Sequence, residues 1–211
     1  VQDIVVGEYS NDEGGAENGA VWILFLNTSG GVKSSYKINE SRFGNGNELG
    51  GGNFGLGVSA LGDLNNDGVQ DIAVGEYLDN DGGIANGAVW IMFLNTSGGV
   101  KSEYKINSSR FGNGSELSND NFGISVSNLG DLNNDGIQDM AVGEYLNDDG
   151  GANNGAVWIM FLNKSELATD TTPPNLTFTK PTPFSGDLVY EGNLLVNISF
   201  SNAVNASINL Y

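Results

Sequence analysis

A period of 68 residues governs this chain: Asp3, Asp71 and Asp139 stand at that spacing, as do Gly7, Gly75 and Gly143, and Trp22, Trp90 and Trp158. Val1–Ser41 and Val69–Ser109 correspond nearly residue for residue, down to the shared runs Gly-Ala-Val-Trp-Ile and Tyr-Lys-Ile-Asn. Each repeat must then be one supersecondary unit that buries its apolar surface against its neighbours, so the array is the fold.

The unit reads as β-structure. With 32 Gly and only 4 Pro, the chain breaks its short apolar runs with Gly/Asn/Asp clusters, the punctuation of strands and tight turns. In one full repeat, Phe54–Leu61 leads into an acidic loop and Ile72–Val74 follows it. Ala88–Leu94 is the third strand, and the turn Asn95-Thr-Ser-Gly-Gly joins it to a fourth, Val100–Ile106. The third strand is apolar on both faces, which an antiparallel strand tolerates only when its sheet is covered from both sides. The fourth alternates, with Val100, Ser102, Tyr104 and Ile106 on one face and Lys101, Glu103 and Lys105 on the other, where charge guards an outer edge. Doubly buried inner strands and a half-wet outer strand predict radially stacked four-stranded antiparallel blades, a partial β-propeller in an all-β chain.

The acidic loop carries the chemistry. Asp63-Leu-Asn-Asn-Asp-Gly-Val-Gln-Asp71 recurs as Asp131-Leu-Asn-Asn-Asp-Gly-Ile-Gln-Asp139, and Val1 and Asp3 hold the places of Val69 and Asp71 in the first repeat. Ca²⁺ takes several hard oxygen ligands in flexible geometry. The side chains of Asp63, Asn65 and Asp67, the Val69 carbonyl and Asp71 supply one such set, and Asp131, Asn133, Asp135, the Ile137 carbonyl and Asp139 a second, with Gly68 and Gly136 turning the backbone. Neither loop is an EF-hand, since its twelfth position is Val74 or Val142 instead of a bidentate Glu. The competing reading is an Asx-rich hairpin turn whose carboxylates bond local N–H groups.

Here the residues resemble a known family. Asn-Phe-Gly at Asn53–Gly55 and Asn121–Gly123, then Leu-Gly-Asp-Leu-Asn-Asn-Asp-Gly, Asp-Ile/Met-Ala-Val-Gly and a Gly-Ala-Val-Trp strand are similar to the FG-GAP repeats of integrin α-subunit propellers and their prokaryotic relatives. The resemblance covers roughly residues 1–163, as repeats 1–52, 53–121 and 122–163. It departs at the "GAP" element, where Gly7-Glu8-Tyr9, Gly75-Glu76-Tyr77 and Gly143-Glu144-Tyr145 keep only the glycine, so integrin-like ligand recognition is not carried over.

Other signals are weaker. The clusters Asn11-Asp12-Glu13, Asp79-Asn80-Asp81 and Asn147-Asp148-Asp149 read as solvated turns, with an auxiliary cation site as the sharper alternative. The three Trp sit mid-strand, where a core role outweighs sugar stacking. Glycosylation sequons stand at Asn27, Asn39, Asn95, Asn107, Asn113, Asn163, Asn175, Asn197 and Asn205, and their use would make the protein extracellular. Without His or Cys there is no Ser-His or Cys-His pair, and the clustered carboxylates are claimed by loops and turns, so a non-catalytic chain is expected. A net charge of −18 with 8 Lys+Arg disfavours nucleic acid. The longest apolar stretch, Ala88–Leu94, is too short to cross a bilayer.

After Asn163 the repeat stops. Residues 164–174, with the pair Pro173-Pro174, read as a linker, and residues 175–211 look like the first half of an immunoglobulin-like module. The first repeat lacks its opening strand and the third its fourth, so further repeats of a longer chain or neighbouring copies are expected to complete them. The functional expectation is a calcium-stabilised adhesion or structural module at the cell surface or outside the cell, possible also as a protomer of a fibre. The alternatives are a ligand- or carbohydrate-binding propeller head and an accessory domain of a secreted hydrolase.

Overall fold

In a computed structural model of the chain, residues 1–43, 48–110, 117–148 and 151–163 are described, and they form three antiparallel sheets. The first holds β1 (Ile4–Glu8), β2 (Ala20–Leu26) and β3 (Val32–Asn39). The second holds β4 (Phe54–Gly62), β5 (Asp71–Glu76), β6 (Ala88–Leu94) and β7 (Val100–Ile106), and the third β8 (Phe122–Gly130), β9 (Asp139–Glu144) and β10 (Ala156–Met160). Strands follow chain order across each sheet, and the registers repeat: Val6 faces Trp22, Val74 faces Trp90 and Val142 faces Trp158. These are propeller blades, as the alternation of apolar runs and turns demands. The linker and the immunoglobulin-like segment lie outside the described residues, as do Asn113, Asn175, Asn197 and Asn205.

The core lies between blades. One face of the middle blade (Ala73, Val89, Ile91, Phe93, Ile106) joins Met140 and Val142 of the third, with Trp158 and Met160 packed alongside. Its other face (Ile72, Val74, Trp90, Met92, Leu94) joins Val21, Ile23 and Ile38 of the first. Every residue of β6 is buried, as a strand apolar on both faces requires. Burying one such aliphatic or aromatic side chain is worth ~1.5–3 kcal/mol, so the inter-blade contacts dominate the stability of the array. The flanking blades present the same sets uncovered. Val157, Ile159 and Phe161 are 68, 47 and 56 % exposed where Val89, Ile91 and Phe93 are 0, 0 and 2 %. Ile4 and Val6 likewise lie open where Ile72 and Val74 are buried.

Glycine sets how closely blades approach. A Cβ on Gly75 would lie 1.8 Å from the carbonyl oxygen of Gly123, and one on Gly7 would lie 1.7 Å from that of Gly55. The glycine of Gly-Glu-Tyr and that of Asn-Phe-Gly are therefore the two halves of one backbone contact. Asn53 and Asn121 lock it from the side: each takes a left-handed φ (55° and 60°), and each donates its amide to a carbonyl of the preceding blade, Tyr9 and Tyr77, at 3.1 Å.

Candidate functional site

Both acidic loops fold in the same way at the same strand junction. Asp63 Oδ1 accepts the Asp67 N–H (2.9 Å) and Oδ2 that of Gly68 (2.8 Å), Asn65 Oδ1 accepts the Asp67 N–H (3.0 Å), and Asp67 Oδ1 accepts that of Val69 (2.9 Å). Asp131, Asn133 and Asp135 repeat these bonds onto Asp135, Gly136 and Ile137 at 2.8–3.0 Å. Gly68 and Gly136 supply the reversal with φ of 85° and 86°. The Val69 side chain packs against the core between the first and middle blades and Ile137 is buried in the core between the middle and third, so each loop is planted in a blade interface.

The closing aspartate does a second job. Asp71 is fully buried, and its two oxygens accept the N–H groups of Leu64 (2.9 Å) and Leu94 (3.1 Å), tying the loop to the end of the third strand. Asp139 does the same with Leu132 (2.8 Å) and Leu162 (3.1 Å), and Asp3 keeps the bond to Leu26 (2.9 Å), while Val1 is exposed. Sequence reasoning saw Asp3, Asp71 and Asp139 as ligands and missed this clamp, although the invariant period was its signal.

Among the described residues no three carboxylates converge into a ready metal cage. The donor set nevertheless fits a hard cation. All side-chain donors are oxygens, most of them held by backbone N–H groups that leave further lone pairs free while Asp67 Oδ2 carries the Lys101 ammonium, and the loop concentrates negative charge. Burial raises the Asp71 carboxyl above its ordinary range, and the nearby Asp67 and Asp63 carboxylates push it further. A divalent ion would be held by Asp63, Asn65, Asp67, the Val69 carbonyl and Asp71, and would neutralise that crowding.

A second constellation recurs beside the glycine contact. Each Trp indole N–H donates to the Glu of Gly-Glu-Tyr: Trp22 to Glu8 (2.8 Å), Trp90 to Glu76 (2.6 Å) and Trp158 to Glu144 (2.7 Å). Lys37 lies 5.1 Å from the Trp22 ring centre and Lys105 lies 4.8 Å from that of Trp90. Lys105 also pairs with Asp79, with Asp81 (2.7 Å) and with Glu76 (3.7 Å). Two expectations change here. Lys105 is not an edge charge in water like Glu103, because β7 pairs it with Trp90 and its side chain is 13 % exposed. The cluster Asp79-Asn80-Asp81 is not wholly a solvated turn either, since Asp79 is buried against that lysine.

Burial decides the electrostatics of this set. Glu76 is pushed up to about 8 by desolvation, which Asp79 reinforces and Lys105 and Trp90 oppose, and burial also raises Asp79. Desolvation works against the Lys105 ammonium, yet Glu76, Asp79 and Asp81 outweigh it and hold its pKa above the ordinary value. In the first blade the exposed Glu8 is instead lowered, chiefly by the Trp22 bond, then by Asn11 and Lys37.

The family model described as FG-GAP repeat matches residues 54–92 and 122–160. Those two stretches are FG-GAP repeats. Each begins at the Phe of Asn-Phe-Gly and runs through the acidic loop into the third strand, so each match contains the glycine of Asn-Phe-Gly, the glycine of Gly-Glu-Tyr and the oxygen-lined turn. Integrin alpha-4 of Xenopus laevis is 33 % identical over 133 residues, 63 % of this chain and 12 % of that protein. Integrin alpha-6 of Homo sapiens is 41 % identical over 97 residues (45 % and 8 %), and integrin alpha-3 of Cricetulus griseus 35 % over 127 residues (59 % and 11 %). The chain thus spans about a tenth of the length of these relatives.

The sequon asparagines in these blades have local work. Asn27 Oδ1 accepts from the Ser29 N–H and hydroxyl and from the Gly31 N–H, and Asn95 repeats this with Ser97 and Gly99. Asn39 and Asn107 likewise accept the hydroxyls of Ser41 and Ser109, at 2.7 Å. Both repeated columns therefore have a local structural role. Asn163 ends the described residues.

Proposed function

We propose that this chain is a non-catalytic, Ca²⁺-stabilised part of an adhesion or structural protein at the cell surface or outside the cell, in which FG-GAP blades are tied together through their acidic loops. One observation carries the reading: consecutive blades present the same oxygen donors on the same junction, with Val69 or Ile137 of the loop seated between blades. A cation in the loop would relieve the repulsion among Asp63, Asp67 and Asp71, and likewise among Asp131, Asp135 and Asp139, and so favour the packed stack over the open chain. The integrin alpha relatives support the adhesion setting. No helix among the described residues is long and apolar enough to cross a membrane.

Partners follow from the uncovered blade faces. Val157, Ile159 and Phe161 at one end, and Ile4 and Val6 at the other, match the two surfaces that mate inside the array, so further repeats or another copy of this chain fit there. Thermal melts test the metal reading. Ca²⁺ at 100 times its dissociation constant adds ~2.7 kcal/mol per site, so it should raise the midpoint by about 5–10 °C over EDTA. Superimposable melts in EDTA and in millimolar Ca²⁺ would refute it.

A further inference from the structure

The two acidic loops share their sequence but not their surroundings. From β7, Lys101 reaches the loop of the middle blade and its ammonium pairs with Asp67 Oδ2, while Asp67 Oδ1 is occupied by the Val69 N–H. In the third blade the same oxygen, Asp135 Oδ2, accepts the uncharged amide of Asn133 at 2.9 Å. The remaining bonds of the two loops agree to within 0.1 Å: Asp63 accepts at 2.9 and 2.8 Å where Asp131 accepts at 3.0 and 2.9 Å. Among the described residues, one scaffold therefore carries two electrostatic settings.

We propose that Lys101 is a built-in competitor for the cation site of the middle-blade loop, so that two loops of like sequence take up Ca²⁺ in sequence, the third-blade loop first. The inference rests on the calcium reading above. An ammonium on a ligand oxygen places a charge where the divalent ion must sit, so the ion has to displace it or bear its repulsion. An amide on that oxygen carries no net charge to displace. The Lys101 side chain is 43 % exposed, so it leaves Asp67 at little cost and acts as a yielding competitor instead of a permanent substitute for the metal.

The amide resonances of Gly68 and Gly136 report the two loops separately, since each N–H is bonded to the first aspartate of its own loop. In a Ca²⁺ titration of the whole chain, Gly136 should respond at lower concentration than Gly68. Lys101→Gln should shift the Gly68 midpoint about two- to fivefold lower, the range of one exposed ion pair, and leave Gly136 in place. Lys101→Arg keeps the charge and should titrate like the wild type, and Lys33→Gln, at the same register in the first blade, should move neither glycine. A Gly68 midpoint unmoved by Lys101→Gln while both loops respond to Ca²⁺ overturns the proposal and leaves the calcium reading standing. Silence of both glycines up to millimolar Ca²⁺ overturns both.

Discussion

Replacing the closing aspartate by asparagine separates its backbone clamp from its part in any metal site, and three copies at graded burial make the test internal. Asp71 is fully buried and satisfies two N–H groups, those of Leu64 and Leu94. Asn keeps one acceptor and aims an NH₂ at the other N–H. The loss is one charge-assisted hydrogen bond, ~1.5–3 kcal/mol, with a buried donor left unmatched. Part of this is offset, because burial already raises the Asp71 carboxyl and the neutral amide escapes that penalty. The expected net loss is about 2 kcal/mol for Asp71→Asn, with a similar value for the equally buried Asp139, since charge-assisted bonds in like surroundings are lost alike. Asp3 bonds Leu26 in exposed surroundings, so Asp3→Asn should cost under about 0.5 kcal/mol. Urea denaturation in EDTA measures the clamp alone, and repeating it in Ca²⁺ adds any contribution from the ion. Equal losses at all three positions, or none at Asp71, would show that burial of the clamp does not set its strength.

Glu76 predicts a pH dependence. Its folded pKa of about 8 lies above the ordinary 4.5, so the folded state holds a proton that the unfolded chain releases. Stability should therefore fall as pH climbs from about 4.5 to about 8, and Glu76→Gln should flatten that part of the profile in a pH series of melts. A variant that keeps the full slope would assign it to another group. At the blade contact, Gly75→Ala would drive a methyl to 1.8 Å from the Gly123 carbonyl oxygen and should cost about 3 kcal/mol or more, lowering the melting midpoint by roughly 6–12 °C. Gly143→Ala, whose added methyl meets the rotatable Ser125 hydroxyl at 2.3 Å, should be far milder, and parity between the two would refute backbone-limited blade spacing.

The parts legible in the sequence were those written by repetition and by two-residue periodicity. The expected third and fourth strands, Ala88–Leu94 and Val100–Ile106, are β6 and β7 residue for residue. This follows because a strand buried on both faces must be apolar throughout and a half-exposed one must alternate. The loops were legible for the same reason: Asp, Asn and Gly at fixed offsets leave the backbone few choices. Lys105 was not legible, because alternation assigns a face and says nothing of what lies at the end of the sheet. There Lys105 pairs across from Trp90, beside Glu76, Asp79 and Asp81, and these three carboxylates outweigh the cost of burying the ammonium. The available signal was that Lys37 and Lys105 keep the same period as Glu8 and Glu76 and as Trp22 and Trp90. An edge charge needs no fixed partner, and Glu103 accordingly stands where the first repeat has Ser35.

The first and middle blades then show how far local sequence reaches. Their Trp-to-Glu bonds differ by 0.2 Å, yet the Glu8 side chain is 46 % exposed and its pKa falls, while Glu76 is 1 % exposed and its pKa rises. The bonds are encoded within the repeat. Desolvation dominates at Glu76 and not at Glu8, and Asp79 stands where the first blade has Asn11, so a nearly unchanged copy acquires different acid–base behaviour from its place in the stack and from one substitution beside the carboxylate.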